Sequence, residues 1–213
     1  MSRRLTPARR WVLWWSAVQV AGNLAAMLTA RQGLNNHWLS YLLPPIAAGI
    51  ALRTLSQWQL SPVATLWFRL MIPLLAVTWI VIVILFENTQ TFSLLAEPFA
   101  GLLVMGAAIY TLVSRAFGES SNVLQQDWLW IATGLALYSG AAIALPPTAH
   151  WLLATHPELV VKAYEVKAVL EIVAFLAIAR GMTCPIPESG SGGSSSRASS
   201  RSPSSSSASS SRS

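Results

Sequence analysis

Charge is what this 213-residue chain has least of: Asp, Glu, Lys and Arg together make up 10% of it, against about 25% in soluble domains. A water-soluble fold would lack the polar surface to cover itself. Cysteine is nearly absent too, and with Cys184 alone neither an internal disulfide nor a cysteine-rich metal site is available. That thiol follows the last apolar block and is expected to be inert. The chain holds no GxxxxGK(S/T), no GxGxxG and no GxSxG elbow. Nothing argues for an ATPase, a kinase or a serine hydrolase, and no cofactor is expected.

What is abundant is apolar surface, 54% of residues, gathered into long blocks. Trp11 to Ala30, Gln32 to Leu52, Leu70 to Phe86, Pro98 to Ser114 and Trp128 to Pro157 contain no Asp, Glu, Lys or Arg. Crossing ~30 Å of hydrocarbon at ~1.5 Å per residue takes about 20 apolar residues. Each block is long enough, allowing for tilt. Backbone amides in lipid have no water to bond, so a spanning segment is a helix or part of a closed barrel. Barrel strands alternate polar and apolar residues, whereas Val77 to Phe86 is apolar on every side. The expected fold class is therefore all-α: a polytopic transmembrane bundle of six helices.

Arg3, Arg4, Arg9 and Arg10 precede the first block, as in a secretory signal. Against a signal, the apolar region is too long, Gln19 and Asn23 interrupt it, and a cut after Ala30 would put Leu28 where a small residue belongs. The expected organisation is a basic cytoplasmic N-terminus (1–10), a six-helix domain (11–181) and a disordered tail (182–213). The helices are placed at about 11–30, 38–52, 70–86, 94–114, 128–145 and 159–180. Pro44 and Pro45 fall inside helix 2 and are expected to kink it, and Pro146 with Pro147 to stop helix 5. Arg53 to Arg69, polar at Ser56, Gln57 and Gln59, reads as an interfacial connection. Past Cys184 the Ser-, Gly- and Arg-rich composition cannot bury enough apolar surface to fold.

Basic residues set the orientation, because cytoplasmic loops hold the excess. With the N-terminus inside, that side receives Arg3, Arg4, Arg9, Arg10, Arg53, Arg69, Arg115, Arg180, Arg197, Arg201 and Arg212, and the outside only Arg31. Both termini are thus expected in the cytoplasm. The formal charge of +6 is read as topology, not as a nucleic-acid surface. Most of the ten tryptophans fall near expected helix ends, as their amphipathic rings prefer. Trp79 is the mid-helix exception.

Chemistry, if present, concentrates in helix 6 at Lys162, Glu165, Lys167 and Glu171. Ionisable residues inside a membrane are a functional hypothesis by default. The spacings i,i+3 (Lys162, Glu165) and i,i+4 (Lys167, Glu171) allow local neutralisation. Glu171 lies about 18 Å from Leu159 along the helix, near mid-membrane. Helix 1 adds Gln19 and Asn23 beside the small stripe Ala17, Ala21 and Ala25; helix 5 carries Ala132, Ala136, Gly140 and Ala144. Both stripes read as packing faces. The outer loops hold Asn35, Asn36, His37, Glu87, Glu97, His150, His156 and Glu158, without ligand spacing for a metal. No catalytic residue and no metal ligand is assigned.

Asn36-His37-Trp38-Leu39-Ser40-Tyr41-Leu42 ahead of a proline-bearing helix, with Trp128-x5-Gly134-Leu135-x2-Tyr138-Ser139-Gly140, resembles small uncharacterised bacterial polytopic membrane proteins. The likeness covers Trp11 to Gly181 and rests on short apolar motifs. That pattern differs in carrying a further N-terminal helix and an acidic residue where Ile46 follows Pro45. The resemblance implies a bacterial inner-membrane location and no defined activity. The functional expectation is a non-enzymatic protein acting through binding, as an accessory or assembly subunit or a membrane-embedded sensor. Its partners are the lipid bilayer and a membrane protein or a second copy of itself. The alternative is a small ion- or proton-linked transporter using the helix 6 charges, although no inverted repeat is visible.

Overall fold

A computed structural model describes residues 5–87, 93–118 and 123–185. Six long helices account for most of them: α1 (Pro7–Arg31), α2 (His37–Leu55), α3 (Pro62–Phe86), α4 (Ala96–Gly118), α5 (Asp127–Thr155) and α6 (Val160–Thr183). Three short 3-10 turns, Ser56–Trp58, Val123–Gln125 and Pro157–Leu159, complete the regular structure among the described residues. The first five long helices, α2 counted with the Ser56–Trp58 turn that follows it, are long and apolar enough to cross a membrane. The 24-residue α6 falls outside that group and carries Lys162, Glu165, Lys167, Glu171 and Arg180. The proposed disordered tail lies outside the described residues from position 186 onward.

Local chemistry fixes where helices begin. Thr6 accepts a hydrogen bond from the Arg9 amide and Pro7 fills the first helical position, so α1 starts one turn before its apolar block. Ser61 and Pro62 repeat the device for α3, Ser61 Oγ accepting from Val63 N. This corrects the reading of Arg53 to Arg69 as a connection. The polar residues Ser56, Gln57 and Gln59 do break the chain, but Pro62 to Arg69 forms the first two turns of α3. Gly33, at φ 69°, turns the chain after α1 in a conformation that L side chains rarely adopt.

The expectation that Pro146 and Pro147 end helix 5 is also corrected, since α5 runs through both to Thr155. Each proline removes a backbone donor, leaving the carbonyls of Ala142 and Ile143 without their helical partners. The helix persists because apolar neighbours hold it, and Thr148 Oγ1 donates back to Ala144 O at 2.6 Å. The pair in α2 behaves as expected in remaining inside its helix. There the Tyr41 carbonyl, deprived of its donor by Pro45, accepts from the indole Nε1 of Trp79 at 3.1 Å. The mid-helix tryptophan thus repairs a proline defect in the neighbouring helix.

Packing runs through α2, α4 and α5. α5 packs between α4 and α6, while α2 touches α1, α3 and α4. The closest approach joins α5 to α6. A Cβ on Gly134 would sit 2.7 Å from the Ala174 carbonyl oxygen, and one on Gly181 would sit 3.0 Å from that of Asp127. Of the expected α5 stripe, Ala132 is buried, Ala136 and Gly140 are half-buried, with Gly140 facing Met105, and Ala144 is exposed. On α1 the expected stripe is displaced: Ala17 and Ala21 are exposed and Ala25 half-buried. The contact face is formed by Ala8, Val12, Trp15, Gln19 and Gly22. Large residues there gain more by burial than alanines do, and Gly22 admits Leu43 of α2.

Most of α3 faces outward. Only Phe68, Leu75 and Trp79 are buried, whereas Leu66, Leu70, Leu74, Val77, Ile80 and Ile84 are exposed. An apolar face of that extent is unsuited to water.

Candidate functional site

The chain alternates direction, so the starts of α1, α3 and α5 meet the ends of α2, α4 and α6. At this end Arg9, only 4% exposed, pairs through Nε with Asp127 Oδ2 at 3.1 Å. Its Nη2 donates to the Cys184 carbonyl at 2.8 Å, tying α1, α5 and the end of α6 together. Arg53 lies 5.9 Å from the Trp11 ring centroid, and Arg115 Nε donates to Trp58 O at 2.5 Å. Gln59 bridges Leu55 O and Thr111 Oγ1 at 2.9 Å each. The Cys184 thiol is buried within this cluster, as suits an inert residue.

The opposite end is built from acids, amides and imidazoles. Glu87 caps α4, accepting from Leu95 N at 2.6 Å and Ala96 N at 3.0 Å, while Ser93 Oγ accepts from Glu97 N at 2.9 Å. A carboxylate is favoured there by the helix dipole. Between α1, α2, α4, α5 and α6 a cavity of about 740 Å³ opens towards this end. It runs from His37 to Ala51 along α2, roughly 21 Å at ~1.5 Å per residue. α3 contributes nothing to it.

Its walls are apolar and small, with Leu43, Ala47 and Ala48 from α2, Ala100 and Val104 from α4, and Ala142 from α5. Trp15 and Tyr138 form the deep end, with ring centroids 5.0 Å apart and edge-to-face; Phe175 of α6 stacks beside both, 5.6 Å from Trp15 and 6.0 Å from Tyr138. Exposed Asn23 on α1 and Tyr164 on α6 line it as well. α1 and α6 both contribute to its lining and meet at the Trp15–Phe175 contact.

Several expected site residues come together here. Gln19, Asn23 and Lys167 line the cavity, and Lys167 Nζ holds Glu171 Oε1 at 3.2 Å, both side chains about a quarter exposed. Lys162 and Glu165 do not join them. Both are exposed, and no ion pair links them, so the expected i,i+3 pair is absent. Water competes effectively for two charges at a helix surface.

One residue was assigned to an outer loop and belongs to the site. Glu97 lies in the first turn of α4, lines the cavity and interacts electrostatically with Lys167 and Glu171. Its sequence signal was register: Glu97 precedes Gly101, Val104 and Ala108 at spacings of four, seven and eleven, on the buried face of α4. His37 and His150 also line the cavity. Among the described residues, no group of three or more His, Cys, Asp or Glu side chains is arranged to hold a metal ion.

No protein-family model, curated protein or solved structure matches this chain.

Proposed function

We propose that this chain is a bacterial inner-membrane protein that acts by binding a small amphiphile in the cavity between its helices. All six helices cross the bilayer in this reading, with the arginine-rich end and both termini in the cytoplasm. α6 crosses with its charges turned partly towards the cavity, where Lys167 and Glu171 neutralise each other. The observation that carries the reading is the cavity itself. It combines apolar walls with a few convergent polar groups and is of about the volume (roughly 300–1,000 Å³) that small-molecule sites occupy.

Binding serves a sensor or an accessory subunit, and the exposed face of α3 offers a second membrane protein a surface without obstructing the cavity. A second reading, an ion- or proton-linked transporter, draws support from Lys167, which lines the cavity, and from Glu171 beside it. Transport requires the arginine-rich end to open as well, and Arg9, Asp127 and Cys184 hold it shut. Among the described residues, no arrangement of acid, base and nucleophile favours catalysis.

Gentle extraction from native membranes followed by native mass spectrometry tests the binding reading. The expected result is a low-mass adduct on the protein, weakened in Ala142→Phe, which projects a ring into the cavity. A large protein assembly without an adduct would favour the accessory-subunit role alone. A bare protein that takes up no amphiphile would refute binding.

A further inference from the structure

One lysine serves two carboxyl groups around the cavity: Glu97 and Lys167 line it, and Glu171 holds Lys167 at 3.2 Å. His37, His150, Tyr138 and Tyr164 also line it. The Glu87 carboxylate is engaged with Ser93 and the amides of Leu95 and Ala96. No described residue donates a hydrogen bond to the Glu97 carboxylate. A carboxylate that shares a cavity with the apolar walls of Ala100 and Val104 is stabilised by a counter-charge.

We propose that the cavity takes an amphiphilic organic cation, an ammonium or phosphonium centre on an apolar body, with Glu97 as its counter-ion. The inference rests on the binding reading above and names its ligand class. Inorganic cations fit poorly. Hard divalent ions require about six or more oxygen ligands, whereas this cavity offers one uncommitted carboxylate among aliphatic walls. An organic cation uses the same walls for its body. The rings of Trp15, Tyr138 and Tyr164 also line the cavity, and aromatic faces attract cations. Anions meet two carboxyl groups and a lysine already paired with one of them.

Tetraphenylphosphonium and tetraphenylborate have the same shape and opposite charge, which makes them direct probes. Equilibrium binding of each to the full chain in nanodiscs of uncharged lipid is the experiment. The expected result is saturable phosphonium binding with no comparable borate binding, weakened about tenfold or more by Glu97→Gln. Glu97→Lys should reverse the preference towards borate, a gain that a misfolded variant could not produce. Equal binding of the two ions, weakened in Ala142→Phe, would overturn the cation assignment and leave the binding reading intact. Phosphonium binding unchanged in Glu97→Gln would also overturn the assignment. Failure of both ions, together with no adduct on the native protein, would remove the binding reading itself.

Discussion

The two ends of the molecule solve the problem of polar groups in opposite ways. At the arginine-rich end, Arg9 is buried and committed on two sides, to Asp127 and to the Cys184 carbonyl, and Arg115 and Gln59 reach across to neighbouring backbone and side chains. At the acidic end Glu87 is bound in the same manner, but Glu97 beside it is not, and a cavity separates it from Lys167 and Glu171. Polar groups that hold a fold together have their partners within the chain. Those left facing a cavity are free to meet a partner from outside it, and on this contrast the proposed binding function rests.

Breaking the closed end should have the largest effect. Arg9→Ala leaves the half-buried Asp127 without its partner, a change that costs up to about 3 kcal/mol, the lower end of what breaking a buried pair costs, and a clear fall in the unfolding midpoint in detergent is expected. A midpoint within a degree or so of the native one would make the latch ornamental. Gly134→Leu comes next: its Cβ would collide with the Ala174 carbonyl, and overpacking of this kind costs about 1–3 kcal/mol. A cysteine crosslink between α5 and α6 should form more slowly in that variant. Trp79→Phe strips the Tyr41 carbonyl of its donor and should cost roughly 1–3 kcal/mol, whereas the same change at exposed Trp67 should leave the midpoint unmoved. At the open end, Glu97→Gln removes a charge without removing a packed partner. Stability is expected to hold or rise slightly while cation binding falls. Smallest of all, Lys162→Gln and Glu165→Gln should alter neither stability nor binding, since both side chains are exposed and unpaired; a loss of binding in either would widen the site along α6.

Much of this was readable in the amino-acid order. Charge-free blocks announced the helices, and the arginine positions announced a basic end that side-chain contacts then assemble. The proline pairs show the boundary of such reading. Pro44-Pro45 and Pro146-Pro147 are the same dipeptide and both lie inside helices; in α2 the repair of the Tyr41 carbonyl comes from Trp79 on another helix. That is a tertiary contact that no local rule contains. Glu97 escaped for a related reason. Charges counted along α6 form a cluster by themselves, and only the tertiary fold, which brings Glu97 of α4 and Lys167 of α6 to one cavity, adds a carboxylate to them. The alanines of α1 misled because small size permits close approach without requiring it: the helix buries Trp15 and Val12 instead of Ala17 and Ala21.

The central claim is that this protein works through a cavity open at its acidic end and closed at its arginine-rich end. Cysteine accessibility tests it directly, because Cys184 is the chain's single cysteine and Cys184→Ser clears the background. With Ser139→Cys added in the cavity wall, a membrane-impermeant maleimide should react in vesicles that present the acidic end to the reagent. It should fail in vesicles that present the arginine-rich end. Reaction only from the arginine-rich side would contradict the account.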